Sequence, residues 1–175
     1  TVSLIVYSSG NVPDTLERTA YIEVVDTQPL PFYEPIAVGV QSTLPAGWST
    51  TDENGDHTGW QEGWWNLGVD GSPDDFIFFD NYQVNLNGLE EQLILPLLDF
   101  STTANPKLYF YRAHRLRTAS NTDTLKVYVR ACGTNRDLLY VKGGQQLATV
   151  AGLDPGPFEP SQPSYWVRDS VDLSA

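Results

Sequence analysis

Apolar residues in this chain recur with a period of two, and no helical spacing is sustained for the length a helix needs, which confines the fold to extended strands. The cleanest stretch is residues 124–130, where Leu125, Val127 and Val129 face one way and Lys126, Tyr128 and Arg130 the other. That is the pattern of a strand with one buried face. Residues 107–112 set Leu108 and Phe110 against Tyr109 and Tyr111, and Leu93, Leu95 and Leu97 alternate around Pro96, which an edge strand or a bulge tolerates. Shorter strands are expected over residues 76–79, 138–142, 147–150 and 166–173, separated by turn-forming clusters such as 153–160. With 14 glycines and 12 prolines to supply turns, the 175 residues predict an all-β, antiparallel two-sheet sandwich.

Charge narrows the function classes. Ten basic against 22 acidic residues give a net charge of −12, so nucleic acid and anionic membrane surfaces are repelled overall. Residues 1–106 carry a single base, Arg18, and the remaining bases lie downstream, notably Arg112, His114, Arg115 and Arg117. Those residues are either a patch for a partner or, the stronger reading, counter-charges for acids of the first half. The lone Cys132 cannot close an intrachain disulfide and reads as an inert thiol, and no apolar run is long enough to insert into a membrane. The chain begins at Thr1 without Met or a signal peptide, so it reads as part of a longer multidomain product.

A boundary is expected over residues 26–31, Asp-Thr-Gln-Pro-Leu-Pro. Before it, residues 2–7 and 21–25 read as two β-rich strands around a polar turn, too few for a stable domain. The sequence TVSLIVYSSGNVPDTLERTAYIEVVD resembles the closing hairpin of a polycystic-kidney-disease (PKD) repeat, an Ig-like module, which assigns residues 1–28 to that repeat. Residues 29–175 carry Pro31-Phe32-Tyr33-Glu34, Leu44-Pro45-Ala46-Gly47-Trp48, an acidic loop before Trp60, Leu93-Ile94-Leu95-Pro96-Leu97-Leu98-Asp99-Phe100-Ser101 and Asp123-Thr124-Leu125-Lys126-Val127. Ala131-Cys132-Gly133, Tyr165-Trp166 and Val171-Asp172-Leu173-Ser174 complete the series. In order and spacing these are similar to the cleaved-adhesin, or choice-of-anchor, group of MAM-like jelly-roll domains of secreted and surface bacterial proteins. The resemblance implies an antiparallel jelly-roll β-sandwich preceded by a partial Ig-like β hairpin, its last strand lying beyond Ala175. It also implies an extracellular, noncatalytic accessory role.

The residues themselves offer little to catalysis. There is no His-Glu-x-x-His, no Gly-x-Ser-x-Gly elbow, and no Glu-x-Asp-x-x-Glu strand to set two carboxylates side by side as a jelly-roll glycosidase requires. The most suggestive stretch is Thr51-Asp52-Glu53-Asn54-Gly55-Asp56-His57. Oxygens of Asp52, Asn54 and Asp56 can converge on a hard cation where the chain turns at Gly55, or the stretch is a solvated turn. In the family resembled, calcium ties this loop to the opening strand through an acid that aligns here with Ala37, and Glu34 stands three residues earlier as a substitute ligand. Trp60, Trp64 and Trp65 lie among Gly59, Gly63 and Gly68, and flat indoles held out by a glycine-rich loop suit a glycan or protein contact. Trp48 and Trp60 can instead plug the end of the sandwich under the long loop, which the resemblance favours for those two. Asp70, Asp74, Asp75 and Asp80 read as turn-forming acids or a second cation site.

Three functions fit these residues. The first is a calcium-stabilised binding module for glycan or protein, with Asp52, Asn54, Asp56 and Glu34 as metal ligands and Trp60, Trp64 and Trp65 as contacts. The second is an architectural spacer beside a secreted hydrolase, and the third, weakest, is a carbohydrate-active enzyme.

Overall fold

The computed structural model describes residues 2–7, 10, 13–18, 27–36, 44–53, 55, 57–83, 88, 90–120, 123–131 and 135–174. Among them the regular structure is all-β: ten strands and two single-turn 3-10 helices. No helix of the described residues is long and apolar enough to cross a membrane. The strands form five antiparallel two-stranded pairs rather than two broad sheets.

β1 (Val2–Tyr7) pairs with β2 (Pro13–Arg18) in an unbroken register from Val2 opposite Arg18 to Tyr7 opposite Pro13. This corrects the sequence reading, which placed residues 13–18 in a polar turn. Pro13 is compatible with pairing because it is the first residue of its strand, where a missing N–H is tolerated. The expected strand over 21–25 lies outside the described residues. Gln28 then forms a parallel bridge to Leu98, its N–H donating to the Leu97 carbonyl (2.7 Å) and its carbonyl accepting from Asp99 N–H (2.9 Å).

β3 (Ser49–Thr50) pairs with β6 (Leu93–Ile94), so only two residues of the expected Leu93 to Leu97 alternation are paired. β4 (Gln61–Leu67) pairs with β5 (Pro73–Phe78), whose placement agrees with the 76–79 expectation, whereas β4 occupies a stretch read as a glycine-rich loop. Its register shifts between Gly63, opposite Phe76, and Asn66, opposite Asp74. Trp64 and Trp65 thus stand together opposite Asp75, a two-against-one bulge that breaks the period of two.

β7 (Lys107–Arg112) and β8 (Thr124–Val129) coincide with the two clearest alternating stretches. β7 pairs with β10 (Val167–Asp172), and β8 with β9 (Asp137–Gly143). In β7 the side chains of Leu108, Phe110 and Arg112 are shielded while those of Lys107, Tyr109 and Tyr111 face solvent. The expected strand at 147–150 is absent. Residues Gly144–Gln146 form a 3-10 turn, and Leu147 caps it with its N–H on the Gly144 carbonyl while its side chain is buried. Its apolarity belongs to the core, where Leu116 (2% exposed), Leu147 and Val171 are the buried apolar residues among those described.

The inner faces of the last two pairs meet through polar as well as apolar contacts. The Phe110 and Tyr140 rings pack edge to face at 5.6 Å. Beside them the Asp169 carboxylate accepts from Tyr140 Oη (2.6 Å), Lys142 Nζ (2.6 Å) and Arg112 Nε, and Arg112 also donates to the Leu147 carbonyl. A second junction joins the residue before β10 to the β4–β5 pair, where Trp166 Nε1 donates to the Leu67 carbonyl (2.7 Å) and the Trp166 ring meets Phe76 edge-on.

The arginines do not serve the first-half acids in the way the sequence suggested. Arg112 pairs with Asp169 and Arg115 with Asp154, because β7 lies against β10 and Leu116 bridges to Leu153. Arg117 stacks on Tyr82. Glu90, an acid of the first half, receives counter-charge from Lys126 and Arg136.

Candidate ligand-binding face

The loop entering β4 holds the sequence-nominated metal ligands. Asp52 Oδ2 accepts from His57 N–H (2.9 Å), closing a turn in which Gly55 and His57 both have positive φ, +71° and +63°. The neighbouring imidazole Nδ1 lies 3.6 Å from the same oxygen. Glu53 is tied to the residues before β6, its carboxylate accepting from Gln92 Nε2 (2.7 Å) and its N–H donating to Glu91 Oε1 (3.1 Å). Glu34 Oε1 accepts from Ile36 N–H (3.2 Å), holding Ile36 at φ +49°. Asn54 and Asp56 lie outside the described residues.

Calcium takes six to eight oxygens. Among the described residues no three of His, Cys, Asp and Glu come together as a cation site, and Asp52 and Glu34 each hold a backbone N–H of their own turn. The described donors therefore do not complete a calcium shell by themselves. An ion at this loop needs further oxygens, which Asn54, Asp56, backbone carbonyls and water can supply.

Trp60 is fixed rather than presented. Its indole N–H donates to the Glu91 carbonyl (2.9 Å), its backbone N–H to Thr50 Oγ1 (3.1 Å), and its half-buried ring packs on Phe79 at 6.0 Å. It links the β3–β6 pair to the chain that follows β5. The backbone of Trp64 and Trp65 runs through the β4 bulge, and their side chains lie outside the described residues. Of the four acids that follow, Asp70 and Asp80 close local turns, and the Asp70 carboxyl is held low by hydrogen bonds from Ser72. Asp74 is pushed up, mainly by burial.

A different surface collects exposed aromatic area. Because Leu108 and Phe110 point inward, Tyr109 and Tyr111 must point outward from β7, and they are 51% and 50% exposed. Two residues along a strand are about 7 Å apart, so one flat ligand can lie across both rings. On β10, Ser170 stands opposite Tyr109, Arg168 opposite Tyr111 and Asp172 opposite Lys107. The Arg168 guanidinium carbon sits 4.3 Å from the Tyr109 ring centroid, a cation–π stack. The face is completed by Lys107 and Asp172, whose carboxyl is held low by hydrogen bonds from Ser174 and, more weakly, by Lys107. Residue spacing predicted the alternation of Leu108, Tyr109, Phe110 and Tyr111, and the tyrosine hydroxyls were the available signal for which side meets water.

Comparison with family models, with curated proteins and with solved structures finds no match. The cleaved-adhesin and PKD resemblances rest on the quoted residues alone.

Proposed function

We propose that this chain is a noncatalytic accessory or adhesion module of a larger secreted or cell-surface protein, binding glycan or protein partners through the outer face of β7 and β10. The observation that carries this reading is the pair of half-exposed tyrosines at alternate positions of one strand. Large aromatic rings left in water on a rigid strand cost solvation that a partner's apolar surface recovers, with little side-chain entropy to lose on binding. The assignment to a cleaved-adhesin-type jelly-roll following the end of a PKD-like repeat belongs to the same proposal, as does a structural calcium ion at the loop of Asp52, Asn54 and Asp56 with Glu34 as a further ligand. Trp60, by the way it is held, serves the loop's architecture, and Trp64 and Trp65 are the secondary candidates for contact.

The test is retention of the protein on immobilised polysaccharides and extracellular-matrix proteins, with Tyr109→Ala/Tyr111→Ala as the comparison. Retention of the parent and its loss in a variant that still melts cooperatively support the module. Equal retention of both moves the contact off β7 and β10, with Trp64 and Trp65 next to be tested, and retention of neither replaces the module with the spacer reading.

A further inference from the structure

The charges around the tyrosine pair point to the class of ligand. On the outer face of β7 and β10, Lys107 and Asp172 stand directly opposite one another and offset each other's charge. Arg168 is left over. Among the described residues its recorded contact is the Tyr109 ring, and no carboxylate lies within ion-pair distance of it. Arg112, Arg115, Lys126, Arg136 and Lys142 have carboxylate partners, while among the described residues Lys107, Arg117 and Arg130 share with Arg168 the absence of an ion pair, and of these four Lys107 and Arg168 lie on the tyrosine face, with Asp172 as the acid there. A guanidinium held over the face of an aromatic ring can keep an N–H edge for a ligand, and such an edge matches a carboxylate with two parallel hydrogen bonds.

Resting on the binding-module reading, we infer that the face takes an otherwise neutral oligosaccharide carrying a single carboxylate-bearing sugar. The apolar side of a sugar ring stacks on Tyr111, and the carboxylate is received by Arg168, itself stacked on Tyr109. One uncompensated positive charge suits one anionic group. A polyanion is disfavoured, because each further negative charge along it meets the field of a molecule with net charge −12. The local charge selects for an acidic sugar, and the global charge selects against many.

The experiment is isothermal titration of the whole chain with sialyllactose, with a glucuronate-ended oligosaccharide and with lactose, repeated on Arg168→Gln and Tyr111→Ala. Both are exposed positions, so the variants should retain the parent's melting behaviour, which is checked in parallel. The expected result is at least tenfold tighter binding of an acid-bearing sugar than of lactose, reduced to the lactose level by Arg168→Gln. Tyr111→Ala should weaken both. The two acidic probes distinguish a nonulosonate from a uronate source of the carboxylate. Equal binding of acidic and neutral sugars, or an acidic preference that survives Arg168→Gln, overturns the inference and leaves the module reading standing. Retention on a protein matrix that depends on the tyrosines, without binding to any sugar, also overturns it in favour of a protein partner. No sugar binding together with no tyrosine-dependent retention overturns both.

Discussion

Asp169 shows how one carboxylate can hold two strand pairs together. Burial raises its pKa, but hydrogen bonds from Lys142, Tyr140 and Arg112, together with the Arg112 charge, outweigh burial and bring it down to about 2 from the ordinary 3.8. Since the folded value is the lower one, the stabilisation is complete above pH 4 and is lost as pH falls through 2. Its size is roughly 2 kcal/mol, from about 1.4 kcal/mol per pKa unit. Replacing Asp169 with Asn leaves Arg112, whose side chain is 9% exposed, without its counter-ion. The expected loss is about 3 kcal/mol, read from urea midpoints at neutral pH, and midpoints unchanged from the parent would contradict the account. Tyr140 acts at the other end of the scale. Burial, then its bond to Asp169, pushes it up to about 12, so its contribution is full below pH 10 and declines as pH rises through 12. His114 is pulled down chiefly by burial, with Arg112 assisting and Asp123 opposing. Burial prevails because Asp123 is 3.9 Å away and the imidazole Nε2 makes no hydrogen bond. Stability from His114 is therefore present above its ordinary 6.5 and falls as pH drops, and melting temperatures between pH 7.5 and 5 should decline less in His114→Gln than in the parent.

The strand elements differ in how openly the sequence declares them. β7 and β8 are legible because one face is Leu, Phe and Val and the other is Tyr, Lys and Thr, so period and polarity agree. β4 is not, because Gly63 and Gly68 imitate a loop and the bulge at Trp64 and Trp65 interrupts alternation. Gly63 is there for packing: a Cβ at this position would lie 2.6 Å from Phe76 Cζ and 2.9 Å from Phe78 Cδ1. Phe76 is itself wedged against Phe78 and Trp166, so it has little room to retreat. Gly63→Ala is expected to cost about 1–3 kcal/mol in thermal or urea unfolding, as overpacking does, and a neutral result would mean the ring is free to move. β2 was hidden by Pro13 and its charged residues, and the supposed strand at 147–150 was suggested by apolar residues that instead fill the core beside a 3-10 turn. The loop between β3 and β4 carries its own test. An extracellular-type site with Kd near 10⁻⁴ to 10⁻³ M adds only about 0.4–1.4 kcal/mol at millimolar calcium. Melting should therefore rise by a few degrees at most in calcium relative to chelator, and Asp52→Ala should abolish the difference. Identical parent curves in calcium and chelator would remove the ion from the account.

At the scale of the whole molecule, the all-β class follows from periodicity, whereas the proposed binding face does not follow from any motif. It arises because β10 lies beside β7, bringing Arg168 from one end of the chain to Tyr109 and Tyr111, and pairing between distant segments is the part of a fold that local spacing leaves open. The tryptophans of residues 60–65 are the louder sequence signal for contact, and of them Trp60 is bonded into the loop through its indole N–H. The direct discriminator is amide chemical-shift mapping of the isotopically labelled chain during titration with an acid-bearing oligosaccharide. Changes concentrated in residues 107–111 and 168–172, saturating together, are the predicted result. Changes centred on residues 52–65, or none anywhere, would contradict the placement of the binding surface on the tyrosine face.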